Sequence, residues 1–231
     1  MIKIVKQNAK EMTDEILTFN TSNFHEMCDF LANCDQDLKS IIENHGYPPM
    51  WNRENTFETL VHIILEQQVS LASALAALHK LKEKITEITP ENILSLTDAE
   101  MRECYVSRQK NTYIKSLANS MLEGKINLEK FQKMSDEKIR ETLISLKGIG
   151  NWTTDIYLML ALRRTDIFPI GDLAVVNALK KIKQLPPKIS REEIITISKE
   201  WKPLRSVATM VLWHYYLSDS ARKKMTDFSQ I

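Results

Sequence analysis

Two of the chain's five glycines stand one residue apart in Leu146-Lys147-Gly148-Ile149-Gly150-Asn151-Trp152-Thr153-Thr154-Asp155. Glycine tolerates positive φ and lets another chain approach closely. Before the pair, residues 135–146 predict a helix, with Ser135 as cap, an acidic first turn, and Ile139, Leu143 and Leu146 on one side. After it, residues 152–162 predict a second helix. A helix, a glycine hairpin and a helix leave backbone N–H groups at the start of the second helix, where an anion such as a phosphate can bind. Ile149, apolar between the glycines, can anchor the hairpin in a core. The same Gly-x-Gly also fits a plain helix–helix turn closed by a glycine C-cap, so the chemistry depends on what else the chain supplies.

The elements that must carry this hairpin are helical. Phe57, Leu60, Val61, Ile64 and Leu65 recur at helical spacing and predict one buried face. Asn55, with Glu58 three residues on, predicts the cap of that helix. Thr97-x-x-Glu100 and Ser190-x-x-Glu193 are capping boxes, and Thr89-Pro90 places proline at a first helical position. Alternating strand patterns are scarce. Turns fall at Gly46-Tyr47-Pro48-Pro49, Gly124, 148–150, Phe168-Pro169-Ile170-Gly171 and Pro186-Pro187, and the ten methionines read as core filler. The prediction is an all-α chain with short connections.

Composition narrows the setting. An apolar content of 43% over 231 residues supports a real core, in one large domain or two small lobes. No run approaches the roughly 18 apolar residues of a membrane span, and residues 1–15 lack the apolar stretch of a secretory signal. Cys28, Cys34 and Cys104 are odd in number and widely spaced, which disfavours a cysteine-built zinc or iron–sulfur site and fits reduced thiols inside a cell. The net charge of +1 hides an asymmetry: residues 1–100 hold 8 basic against 16 acidic side chains, and residues 101–231 hold 23 against 14. Such asymmetry fits nucleic acid or another polyanion as well as solvated helix faces.

Taken together, four segments resemble the HhH-GPD superfamily of DNA glycosylases. LKGIGNWTTD is similar to its helix-hairpin-helix. DIFPIGDLAVVNAL (166–179) is similar to its Gly/Pro-rich loop, which ends in an aspartate. FETLVHIILEQQVSLASA (57–74) is similar to its wedge loop. WKPLRSVATMVLW (201–213) is similar to the alkylation-repair, 3-methyladenine DNA glycosylase II branch. The resemblance spans about residues 36–217. It implies two helical lobes with a helix-hairpin-helix and a cleft between them: a central lobe over 56–164 ending in the hairpin, and a second lobe from 1–55 and 165–231 carrying the aspartate loop.

The resemblance also assigns roles. Asp172 is the catalytic aspartate. Gly148, Ile149 and Gly150 bind the DNA backbone, often with a monovalent cation on hairpin carbonyls, here those of Lys147 and Ile149; no metal or organic cofactor is required. Gln67 and Gln68 are the wedge candidates. Lys147 and Arg205 are DNA contacts, Arg205 supporting Asp172 or a phosphate, with a surface ion pair as its alternative. Lys110 and Arg108 are weaker phosphate candidates. Trp152 and Trp213 line the base pocket with Ile156 and Leu173. Trp152 stands where bifunctional members carry a lysine nucleophile, so strand cleavage is not expected. The alkylation branch has tyrosines at Ile156 and Leu173, so this pocket should be less aromatic.

The implied reaction breaks the bond between a damaged base and deoxyribose C1′. An alkylated purine such as 3-methyladenine or 7-methylguanine is already cationic and leaves readily, so a strong general acid is not needed; His62 and His214 are expected to pack or face solvent. The alternatives are a glycosylase for other damaged bases and a non-catalytic DNA-binding module. The implied partner is double-stranded DNA holding a damaged base. The chain is expected to act as a monomer, away from membranes, inside the cell (cytoplasm in a prokaryote, nucleus in a eukaryote).

Overall fold

Side-chain caps start most of the helices. The computed structural model describes residues 16–228, with side chains for residues 16–218. Residues 1–15, read above for targeting, and residues 229–231 lie outside the described residues, as do those parts of the expected second lobe. The helices are α1 (Phe24–Cys34), α2 (Gln36–His45), α3 (Phe57–Glu66), α4 (Leu71–Ile85), α5 (Pro90–Ser95), α6 (Asp98–Glu103), α7 (Arg108–Leu122), α8 (Leu128–Phe131), α9 (Asp136–Ile144), α10 (Asn151–Leu160), α11 (Leu173–Ile182), α12 (Arg191–Ser198) and α13 (Arg205–Phe228). A 3₁₀ turn at Lys199–Trp201 precedes α13. Among the described residues no β-strand forms; Thr18 and Arg164 make an isolated antiparallel bridge.

The capping boxes at Thr97/Glu100 and Ser190/Glu193 both close, Pro90 opens α5, and Ser135 caps α9. One cap differs from expectation. Thr56, not Asn55, caps α3 by accepting from Thr59 N. Asn55 is drawn inward instead, where its side chain donates to Leu128 O and accepts from Tyr157 OH.

The chain divides into two units, Met1–Trp51 with Arg163–Ile231, and Asn52–Leu162. In the second unit α3 is the centre, packed against α4, α7 and α10. Its burial exceeds the one face that the spacing predicts, because Ile63 and Thr59 are buried as well. Each fully buried leucine or isoleucine there contributes about 1.5–3 kcal/mol. Glu66, the last residue of α3, is buried, and the Arg53 fork meets its carboxylate at 3.0 and 2.6 Å.

In the first unit α13 packs against α1, α2 and α11. Asp35 caps α2 with Oδ1, while its Oδ2 takes Lys183 Nζ and Trp201 Nε1, each at 2.8 Å. Burial alone would raise the Asp35 carboxyl. The bonds from Lys183 and Trp201 outweigh it and hold the group below the usual carboxylate range. The cysteines are free, and burial with the nearby Asp29 charge pushes the Cys28 thiol up to about 12.

Candidate active site

The glycine hairpin sits in the second unit, between α9 and α10. Gly148 has φ of 85°, in the left-handed region, so a side chain there would be strained. A Cβ on Gly148 would also lie 2.1 Å from Tyr113 Cγ, because the Tyr113 ring of α7 covers that face. Gly150 is different: it is the N-cap of α10, has φ of −110°, is exposed, and has open space where a Cβ would go. Ile149 is buried and anchors the turn, as its apolar character predicts. Its amide is engaged with Leu146 O at 3.2 Å, which removes that N–H from phosphate binding. Gly150 gives α10 no side-chain cap, so the first turn of α10 keeps the anion-binding character of an uncapped helix start.

Two further contacts hold the hairpin. The Arg140 guanidinium on α9 reaches across to α10, donating to Asp155 Oδ1 at 2.5 Å and Asn151 Oδ1 at 3.1 Å. Gln67, just past α3, donates its side-chain amide to Gly148 O and to Thr153 Oγ1, both at 2.9 Å. Gln67 is thereby drawn into the protein as a brace of the hairpin. Gln68 is the exposed member of the pair and has φ of 55°. Lys147 is exposed. Lys110 does not point to a phosphate site: its Nζ donates to Leu65 O at 2.7 Å, closing the end of α3. Among the described residues no group of three His, Cys, Asp or Glu could hold a metal.

Asp172 sits in the first unit, after the turn in which its own N–H bonds Pro169 O. It is the N-cap of α11 and is half-buried. Its Oδ1 accepts from Val175 N at 3.0 Å and from Trp213 Nε1 on α13 at 3.2 Å. Leu173 follows and is 76% exposed. Trp213 is half-buried and meets Trp51, two residues beyond the Gly46-Tyr47-Pro48-Pro49 turn.

The remaining assignments separate. Trp152 is half-buried at the second position of α10. Ile156 is 3% exposed, on the buried side of α10. Arg205 does not support Asp172. Its fork closes on Asp166, with Nε to Oδ1 at 2.6 Å and Nη2 to Oδ2 at 2.9 Å, so the ion-pair alternative holds. His214 packs against the His45 carbonyl, and His62 lies 3.5 Å from Glu66, where burial and the Arg53 charge lower its pKa. Asp155 had one sequence signal, an acid at the head of the apolar run Ile156–Leu162; Asp166, Tyr113 and Trp51 had none tied to the hairpin or to Asp172.

Residues 61–203 match the model of a family described as "HhH-GPD superfamily base excision DNA repair protein". A DNA-3-methyladenine glycosylase of Bacillus subtilis is 32% identical over 173 residues, 68% of this chain and 56% of that protein. YfjP of the same organism is 30% identical over 184 residues, 76% of this chain and 64% of its own length. The chain therefore spans less than two thirds of these two relatives. A solved structure of the Schizosaccharomyces pombe 3-methyladenine DNA glycosylase in complex with abasic DNA superposes with a TM-score of 0.75 and 27% identity, covering 81% of this chain and 95% of that one.

Proposed function

The chain belongs to the HhH-GPD superfamily of base excision DNA repair proteins, and we propose that it is a monofunctional DNA glycosylase that releases alkylated purines of the 3-methyladenine and 7-methylguanine type. Its partner is double-stranded DNA holding such a base. The relatives named as 3-methyladenine glycosylases support this choice. The observation that carries it is Asp172, a half-buried carboxylate held at a helix start by a backbone amide and a tryptophan N–H.

The hairpin in one unit grips the DNA backbone through the amides at the start of α10, with Gly150 left bare so that a phosphate can come close. The target nucleotide leaves the stack, and Gln68 takes the vacated space. Positive charge grows on the sugar as the glycosidic bond breaks. Asp172 faces C1′, stabilises that charge and orients the attacking water. At about 4 Å and an effective dielectric of about 20 the attraction is of order 4 kcal/mol, roughly a thousandfold in rate. The departing base is already cationic, so no residue need protonate it. Trp213, whose N–H meets Asp172, offers a π face to that cation, worth about 0.5–2 kcal/mol. With tryptophan at 152 there is no lysine to form a Schiff base, and strand cleavage is not part of the reaction. A cation on the Lys147 and Ile149 carbonyls would add charge for the DNA backbone.

Incubating the protein with methylated DNA and separating the released bases by chromatography tests this. Free 3-methyladenine from the wild type, and none from Asp172→Asn, is the expected result. Release at the wild-type rate by Asp172→Asn overturns the role of Asp172, and no release from any damaged duplex overturns the glycosylase reading.

A further inference from the structure

The tryptophans of the first unit divide by burial. Trp201 is 1% exposed and belongs to the core, whereas Trp51 and Trp213 are half-buried. The Trp51 and Trp213 rings lie 6.1 Å apart between centroids, with their planes at 83°, and so form a corner. The Trp213 N–H meets Asp172 at 3.2 Å, which puts that corner beside the carboxylate. The segment that delivers Trp51 is fixed in advance. Tyr47 donates its hydroxyl to Asp29 Oδ1 at 2.6 Å and stacks on His25 of α1, ring centroids 4.3 Å apart. Pro48 is buried, the Pro48-Pro49 pair removes backbone freedom, and Trp51 N donates to Pro49 O at 2.9 Å. A ring held this way loses little further freedom when a ligand meets it.

A flat base stacked on Trp213 lies parallel to that ring and perpendicular to Trp51. It therefore turns an edge toward the Trp51 face, whichever ring is the stem of the T. The face of an indole carries negative potential. An unmethylated purine has lone pairs at N3 and N7 on its edges, and a π face repels them. Methylation at N3 or N7 replaces a lone pair with a methyl group and gives the base a positive charge. The π face attracts that edge. Leu173, exposed beside Asp172, brings no ring of its own, so the second aromatic wall falls to Trp51.

We infer that Trp51 is a specificity-determining residue: its indole is the second wall of the base site and selects a cationic, methylated purine over a neutral base of the same outline. The inference rests on the glycosylase reading and names the group that makes its choice of base. A Trp51 that only filled space would lower the affinity for every DNA alike.

The test uses the full chain and three duplexes. One carries 7-methylguanine and one its neutral isostere 7-deaza-7-methylguanine, both on a 2′-fluoro sugar that resists release; the third carries an abasic site. Affinities are measured by titration in slightly acidic buffer, where 7-methylguanine keeps its charge. The wild type should prefer the cation to the neutral isostere. Trp51→Leu and Trp51→Met should shrink that preference by about three- to tenfold, within the range of a cation–π contact, and hold abasic DNA within about twofold of the wild type. Trp51→Phe, which keeps a π face, should retain most of the preference. Whichever of the Leu and Met variants keeps the wild-type circular dichroism decides: an unchanged preference there, or an equal loss on all three duplexes, overturns the inference. A wild type that releases methylated bases yet shows no preference for the cation overturns the inference alone. A wild type that neither releases nor prefers them overturns the glycosylase reading, and the inference with it.

Discussion

Trp213 and Asp172 lie 41 positions apart in the chain, and the indole N–H of one meets the carboxylate of the other at 3.2 Å. The same Oδ1 caps α11 through Val175 N. One side chain thus has a structural duty and a chemical one, and substitutions can separate them.

Asp172→Asn keeps an oxygen for Val175 N, so stability should hold within a few tenths of a kcal/mol, since asparagine and aspartate cap about equally well. Base release should fall by about a thousandfold, because the neutral amide cannot stabilise the sugar cation. Asp172→Ala should lose release as well and also cost about 1 kcal/mol of stability through the missing cap. Chemical denaturation beside the release assay distinguishes the two variants.

Trp213→Phe removes the N–H and keeps most of the aromatic bulk. A hydrogen bond to a charged group is worth about 1.5–3 kcal/mol, so release should slow by about tenfold or more. The melting temperature should move little. A variant as fast as wild type would show that the Trp213 bond does not orient Asp172.

The two hairpin glycines should respond in opposite ways. Gly148→Ala drives a Cβ into the Tyr113 ring at positive φ, and should cost more than about 1 kcal/mol of stability. Gly150→Ala meets nothing within 4 Å and should fold normally, yet bind DNA less tightly because its methyl crowds an arriving phosphate. Melting curves and DNA titrations of both variants check this.

Gln67→Ala should destabilise the protein by about 1–2 kcal/mol, since it strips partners from Gly148 O and Thr153 Oγ1. Gln68→Gly should instead gain up to about 1 kcal/mol by relieving a left-handed backbone, while base release slows for want of a side chain to fill the stack. Denaturant midpoints together with release rates separate brace from wedge.

Asp35 makes stability sensitive to acid. Its folded pKa lies below the ordinary carboxylate value, so its contribution is complete above about pH 4 and is lost as the pH falls through the folded value. Lys183 is shifted upward, with burial outweighed by bonds to Asp35 and Asp37. Its share is complete below its unfolded value and is lost as the pH rises through the folded one. Asp35→Asn should lower the stability plateau at neutral pH and flatten the decline below pH 4. Urea unfolding at a series of pH values measures both.

The helices were open to reading because their signals are local. The Thr97 and Ser190 boxes, Pro90 at a helix start and the Ser135 cap each act within four residues, and all formed as their chemistry dictates. The hairpin was legible for the same reason, since Gly148 and Gly150 carry their backbone demands in their own types. Asn55 shows the boundary: it and Thr56 are both able caps, and only the pull of Leu128 O and Tyr157 OH decides between them.

Partners were another matter. Nothing in Arg205 says that its fork will close on Asp166 and leave Asp172 to Trp213, and nothing in Gln67-Gln68 says which amide turns inward to Gly148. Residue type and spacing govern what a side chain can do and which helix bears it, because propensity and capping are short-range. Which group it finally meets depends on how helices far apart in the chain pack, and that long-range geometry brought the Trp213 N–H to Asp172.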